Sequence, residues 1–341
     1  MKGPKTLRPL AAVRYLAWPA IILAIVGATI AMVILTRRES VDAFSKAKSQ
    51  ALAKTVKEAE VTPRIKKLCF ERGDWIYLTD LSTQKQTKLI KGSWPDLSPT
   101  GTALVFISTS GEGNDAGRIK VYDLNSNQTN DLSAIASLRA FGPRWSNDGT
   151  KIAFQVINAN ADRLDIGVLD LSSGSWKNIT ATVDLGSPAK AVTLDSWVAG
   201  NQSILFHSLE DLYEVSIDGV LLQKTAISTF CSSDSISSAT RFSLSSDRRY
   251  LLFDRDVDTA EAPQNEIISV FDFQAKFLSR ITPNTIEART PVWLPSDKEV
   301  LFTCLERFAH PYRPRLCTIA VDGTGLTIVV SDADHGSYST K

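Results

Sequence analysis

Hydrolysis by a serine, threonine or cysteine needs a base beside the nucleophile. The chain offers three histidines for that role, His207, His310 and His335. His207 directly follows a phenylalanine in an apolar run and reads as a core position, while His335 lies in the C-terminal tail. There is no Gly-x-Ser-x-Gly elbow, Walker loop or dinucleotide fingerprint, and no His/Cys pair at zinc spacing. No catalytic residue, metal ligand or cofactor is assigned on this basis, and a non-enzyme is expected. The acidic run Asp254-Arg-Asp-Val-Asp258 with Glu261 opens like a calcium loop. It lacks the glycine at the sixth position and has Asn265 at the twelfth, so a solvated loop is expected instead.

Two further sets of residues could act. Cys304 and Cys317 flank one stretch and would either bridge across a hairpin, in an oxidising compartment, or remain two separate buried thiols. The intervening segment Glu306–Arg315 combines Arg307, Phe308, His310, Tyr312 and Arg313 with two prolines. Arginine and tyrosine are over-represented at binding hot spots, and proline lowers the cost of ordering a loop. This segment is the expected contact for a protein partner. The serine-rich connection Thr229–Thr240 reads as flexible, or ordered only by a partner.

The elements that must carry these residues begin with an apolar span. The chain has 341 residues, 43% of them hydrophobic, with 38 Lys+Arg against 37 Asp+Glu. Six of those basic residues fall within the first 38 positions, which hold no acid, leaving 32 against 37 and a net charge of −5 for the remainder. A body of that sign is a poor binder of nucleic acid or anionic lipid. Residues 15–36 carry no charge and at 1.5 Å per residue reach about 33 Å, enough to cross a hydrocarbon core. Tyr15 and Trp18 stand at one membrane interface, and Arg37 and Arg38 at the other. The length exceeds the apolar region of a cleaved signal peptide, so an uncleaved anchor is expected. Residues 1–14 form a short basic cytoplasmic tail and residues 37–63 a helical stalk that ends at Thr62-Pro63.

Beyond the stalk the sequence repeats. Five segments align without gaps, each with a large apolar anchor, at Leu97, Trp145, Trp197, Leu244 and Trp293. The spacings are 48, 52, 47 and 49 residues, and each anchor is followed nine positions later by Phe106, Phe154, Phe206, Phe253 or Phe302. A second element follows each copy: an apolar strand, often an aspartate, a polar turn and another strand, as in Ile166-Gly-Val-Leu-Asp-Leu171. A sixth copy at Trp75–Leu81, preceded by Leu68-Cys-Phe70, lacks its first strand. The period is that of four-stranded propeller blades, and such units must stack and close. The expected fold is all-β: a six-bladed propeller over residues 64–341, preceded by one transmembrane helix and the stalk. Its missing strand would come from residues 331–341 or from the segment before Arg64.

The segment Pro143-Arg-Trp-Ser-Asn-Asp-Gly-Thr-Lys-Ile-Ala-Phe154, with Ile179-Thr180 and Ile281-Thr282 closing two units, resembles the TolB-type (WD40-like) propeller family over roughly residues 64–330. The chain departs from that family in having an anchor and stalk where a small α/β domain would precede the propeller. The resemblance implies an extracytoplasmic ring that binds proteins. The expectation is a single-pass protein of a bacterial inner membrane, N-terminus in the cytoplasm and propeller in the periplasm. It would act as a scaffold or accessory subunit whose partners are other membrane-complex subunits or periplasmic proteins. The alternative is an enzyme or metal- or ligand-binding protein with its site at the central funnel.

Overall fold

The computed structural model describes residues 65–109, 117–158, 163–185, 192–259, 262–306 and 313–340. These fold into strands joined by tight turns and a few short 3-10 segments. The strands are β1 (Lys67–Arg72), β2 (Trp75–Asp80), β3 (Lys85–Leu97), β4 (Ala103–Ser108), β5 (Ile119–Asp123) and β6 (Gln128–Asp131). Next come β7 (Ala140–Trp145), β8 (Lys151–Asn158), β9 (Arg163–Asp170) and β10 (Ser175–Asn178), then β11 (Thr193–Trp197), β12 (Ser203–His207), β13 (Asp211–Ser216) and β14 (Leu221–Ala226). The chain finishes with β15 (Phe242–Leu244), β16 (Tyr250–Thr259), β17 (Ala262–Asp272), β18 (Phe277–Arg280), β19 (Ile286–Trp293), β20 (Glu299–Glu306), β21 (Arg315–Ala320), β22 (Thr327–Ser331) and β23 (Asp334–Ser339). Among the described residues no helix is long and apolar enough to cross a membrane. The expected span, the stalk, and with them Tyr15, Trp18, Arg37 and Arg38, lie outside the described residues.

Strands β7–β10, β11–β14, β15–β18 and β19–β22 make four separate four-stranded sheets. The other seven strands form a single sheet in the order β23-β1-β2-β3-β4-β5-β6. The expectation of six separate blades is corrected here, since only four stand alone. The cause is β3, which pairs with β2 over Lys85–Lys91 and with β4 over Gly92–Leu97, so the last strand of one unit runs on as the first of the next. The first strand of the earliest unit comes from the end of the chain: β23 pairs antiparallel with β1, Lys67 opposite Ser339.

The repeated phenylalanines explain why the sheets stack. Phe70, Phe106, Phe154, Phe206, Phe253 and Phe302 are all at most 1% exposed. Five of them pack in clusters shared by successive sheets, while Phe106 packs within the seven-stranded sheet with Cys69, Ile76 and Leu97. Each such burial is worth roughly 1.5–3 kcal/mol. The last junction joins the two ends of the fold, with Leu68 and Phe70 packed against Leu294, Leu301, Leu316 and Val330. Packing is close enough that a Cβ on Gly167 would come within 2.6 Å of the Phe154 ring.

The aspartates of the second element have a local task. Asp80, Asp123, Asp170 and Asp272 each accept the backbone N–H groups two and three residues ahead, closing the turn between the third and fourth strands. Hydrogen bonds to the ionised form hold all four carboxyls below the usual range, first from the side chains of Ser82 at Asp80, Ser172 at Asp170 and Arg249 at Asp272 and from the Ser126 N–H at Asp123, with the remaining turn N–H groups adding to them. The turn after each anchor is similarly regular. The fourth residue past it is Gly101, Gly149, Asn201, Arg248 or Asp297, every one with positive φ.

Candidate functional site

Six strands, β3, β7, β11, β15, β19 and β23, surround a cavity of about 440 Å³. Its lining runs from the start of these inner strands to the turns that end them, from Trp94, Arg241 and His335 to Asn147, Ser246 and Asp297. The strands do not enter it straight. In β3, β7, β11 and β19 the pairing register shifts just before the anchor, and the ladder of β23 with β1 shifts likewise. At four of these bulges one residue has positive φ: Trp94 (54°), Gly142 (55°), Thr290 (52°) and His335 (47°). Only glycine adopts that backbone freely, so Trp94, Thr290 and His335 carry local strain of about 1–3 kcal/mol each. A bulge re-aims side chains, and these re-aim theirs towards the cavity.

Backbone N–H groups in or just ahead of the inner strands are taken up by carboxylates, all but Asp254 from a neighbouring unit. Glu71 accepts the Trp94 N–H at 2.6 Å, and Asp96 accepts the Trp145 N–H at 2.6 Å and the Ser337 hydroxyl at 2.7 Å. Asp195 accepts the Phe242 N–H at 3.1 Å, and Asp254 accepts the Arg241 N–H at 2.7 Å. Burial pushes the Asp96, Asp195 and Asp254 carboxyls up, Asp254 to about 6, and nearby Arg144, His207 and Arg241 respectively pull against that rise.

Two anchor indoles make matching links. Trp197 Nε1 donates to the Arg144 carbonyl at 3.1 Å and Trp293 Nε1 to the Ser243 carbonyl at 3.0 Å, while the Tyr338 hydroxyl donates to the Trp293 carbonyl at 2.8 Å. Trp145 departs from this pattern, because its buried Nε1 has no partner.

At the bulged end the side chains converge on Trp94. The His335 ring lies 4.5 Å from the Trp94 ring, tilted by 39°. The guanidinium carbons of Arg241 and Arg144 stand 5.1 and 5.9 Å from the same ring centroid, within cation–π range. Arg241 donates from one Nη to the carbonyls of Ser238, Ala239 and Thr240. The Arg144 side chain donates only to the carbonyl of Pro143. Burial, and then repulsion from Arg144, lower the affinity of Arg241 for its proton.

Both nitrogens of buried His207 are engaged, Nδ1 with Asp195 at 2.9 Å and Nε2 with the Ser237 carbonyl at 3.2 Å. His335 Nδ1 lies 3.4 Å from Glu71. Among the described residues no group of three His, Cys, Asp or Glu converges to hold a metal ion.

Of the residues singled out in the sequence, Arg307, Phe308, His310 and Tyr312 lie outside the described residues, and Arg313 is exposed just ahead of β21. Cys304 and Cys317 are joined by a disulfide, their Cα atoms 6.1 Å apart. Two loop expectations are corrected. Asp254 to Val257 belong to β16, paired with Ile268 to Asn265 of β17, and Asp254 is buried, because the hairpin continues past its apolar stretch. The serine-rich connection is tied down by Phe230 and Ile236, buried between the sheets β11–β14 and β15–β18, and by the bond that the Ser237 carbonyl accepts from His207. Trp94, Arg144, Arg241 and His335 were not anticipated. The one signal for them is the Trp94-Pro95, Gly142-Pro143 and Thr290-Pro291 pairs, each opening three residues before an anchor.

No protein-family profile matches the sequence, and no curated protein matches it. Solved structures do. TolB from Acinetobacter baumannii superposes with a TM-score of 0.59 at 15% identity, over 80% of this chain and 66% of that one. A structure described as TolB from Agrobacterium tumefaciens gives 0.53 at 18% identity, over 79% and 89% of the two chains. At such identities the likeness concerns the fold, and it agrees with the strand topology: the described residues form an all-β, TolB-like propeller with four-stranded blades.

Proposed function

We propose that this chain is a binding module, a propeller held at a membrane by its N-terminal apolar span, whose funnel receives a segment of a protein partner. The observation that carries the reading is the cluster at the bulged end of the funnel. Trp94, Arg144, Arg241 and His335 come from four different inner strands or their approaches, and they meet at one place in spite of strained backbone. Tryptophan and arginine in a concave, half-buried setting have the composition of binding hot spots. Conformations that cost stability persist where function needs them. The anchor would restrict the ring to a thin layer above the bilayer and raise its effective concentration for membrane neighbours. The segment Glu306–Arg315, of which Arg313 is exposed, would add a second contact, in keeping with a scaffold or accessory subunit of a larger inner-membrane assembly on its extracytoplasmic side.

The test is extraction of native membranes in mild detergent, native-gel separation and mass spectrometry of co-migrating chains, for the wild type and for Trp94→Ala. A defined set of partners that is lost in Trp94→Ala is expected. Migration of the wild type alone, at monomer mass, would sink the proposal and turn attention to catalysis in the funnel.

A further inference from the structure

Arg144 and Arg241 are an unusual pair of cations. They approach the same indole, repel one another, and neither forms an ion pair among the described residues. Asp96 lies close enough to Arg144, and Asp195 and Asp254 close enough to Arg241, to feel their charge, but none of the three hydrogen-bonds to a guanidinium. Both oxygens of Asp96 are taken by the Trp145 N–H and the Ser337 hydroxyl. Asp195 is held by His207 and the Phe242 N–H, and Asp254 by the backbone N–H of Arg241. Among the residues that line the cavity, Arg241 Nε and, at an anchor position, Trp145 Nε1 are buried donors with no acceptor. The two guanidiniums therefore keep donor N–H groups that no carboxylate accepts. Buried donors are costly to leave unpaired, and two like charges in one concave site favour a bound anion.

We propose that Arg144 and Arg241, over the face of Trp94, form a subsite for a carboxylate group carried by the ligand of the funnel. The guanidinium fork matches a planar carboxylate, and the indole face accepts the flat group beside it. A monoanion suits the site better than a phosphate, because Asp96, Asp195 and Asp254 surround it and would repel a second negative charge. The inference rests on the funnel being the binding site. It adds the chemical class of what is bound, which on a protein partner is either a chain end or an acidic side chain.

The test uses the full chain in mild detergent and the ¹⁹F line width of 4-fluorobenzoate, with 4-fluorobenzamide as its neutral counterpart. The benzoate is expected to bind about tenfold more tightly than the amide. In Arg144→Gln the preference falls to about twofold or less, while Arg144→Lys, which keeps the charge but not the fork, retains part of it. The Arg144 side chain makes one hydrogen bond, to Pro143, so these variants stay folded, as their circular dichroism melts will report. Competition by a short peptide with a free C-terminus, but not by its amide, assigns a chain end. Competition by the amide carrying one internal glutamate assigns a side chain. Equal binding of benzoate and benzamide, an unaltered preference in Arg144→Gln, or stronger competition by inorganic phosphate would each overturn the subsite. If the preference holds while neither peptide competes, the carboxylate subsite stands and the protein-binding reading of the funnel falls.

Discussion

Trp145 and Trp197 occupy equivalent positions in neighbouring units, yet their indole nitrogens differ in what they meet. Trp197 Nε1 bonds to the carbonyl of Arg144, whereas Trp145 Nε1 is buried without a partner. Replacement by phenylalanine separates the polar contribution from the packing. Trp197→Phe leaves a carbonyl unpaired and should cost about 1 kcal/mol more than Trp145→Phe, roughly 2–4 °C in melting temperature. Equal losses in thermal melts would mean that the inter-unit bond contributes nothing. Asp254 gives a second residue-scale prediction. Its carboxyl ionises near 3.8 when unfolded and at about 6 when folded, because it is buried. Between those values the folded chain holds the extra proton, so stability falls as pH rises across the window, and the full cost is present above it. Glu266, pushed up to about 7 by burial and by Asp254, acts in the same direction. The turn aspartates act oppositely, losing stability as pH falls below the ordinary carboxylate range. The protein should therefore melt at a higher temperature at pH 5 than at pH 8, and Asp254→Asn should narrow that difference. An unchanged difference would show that Asp254 is already ionised at pH 5.

At the scale of elements, what could be read from the sequence is what every unit must repeat. A junction between sheets needs a large apolar group at one fixed place, so the phenylalanines recur nine residues past the anchors. A tight turn needs its aspartate, so those recur too. The count of separate sheets was not legible, because nothing in the run Lys85–Leu97 marks the point where β3 leaves one partner for the other. Nor was the cluster at Trp94. Its residues lie in separate units and meet only through closure, as the bond between Asp96 and Ser337 across 241 positions illustrates. The last inner strand was obscured further, since Asp334-His-Gly-Ser-Tyr338 replaces the Pro-x-anchor sequence with Gly-x-Tyr. Only the structure aligns Tyr338 with the anchors and His335 with Trp94, through their shared positive φ and their place beside the funnel.

At the scale of the whole molecule, closure depends on β23. Its ladder with β1 covers the edge of the first sheet, and Ser337 and Ser339 bond to Asp96 and to the carbonyl of Pro99. Removal of residues 334–341 would uncover β1 and the apolar junction of Leu68 and Phe70. An exposed edge of that kind promotes association between chains. The truncated protein should lose its single cooperative melt and elute as oligomers in size-exclusion chromatography. A monomer with a sharp transition would show that the sheets hold without the terminal strand. The same arrangement imposes an order in time. Lys67 is among the first residues of the propeller to be made, and its partner Ser339 is among the last. At roughly 5–20 residues per second, β1 waits roughly 15–55 s for its neighbour to exist. Throughout that interval the growing chain, with β1 already paired to β2, presents one unpaired strand edge, which needs shielding by some other agent until β23 has been made.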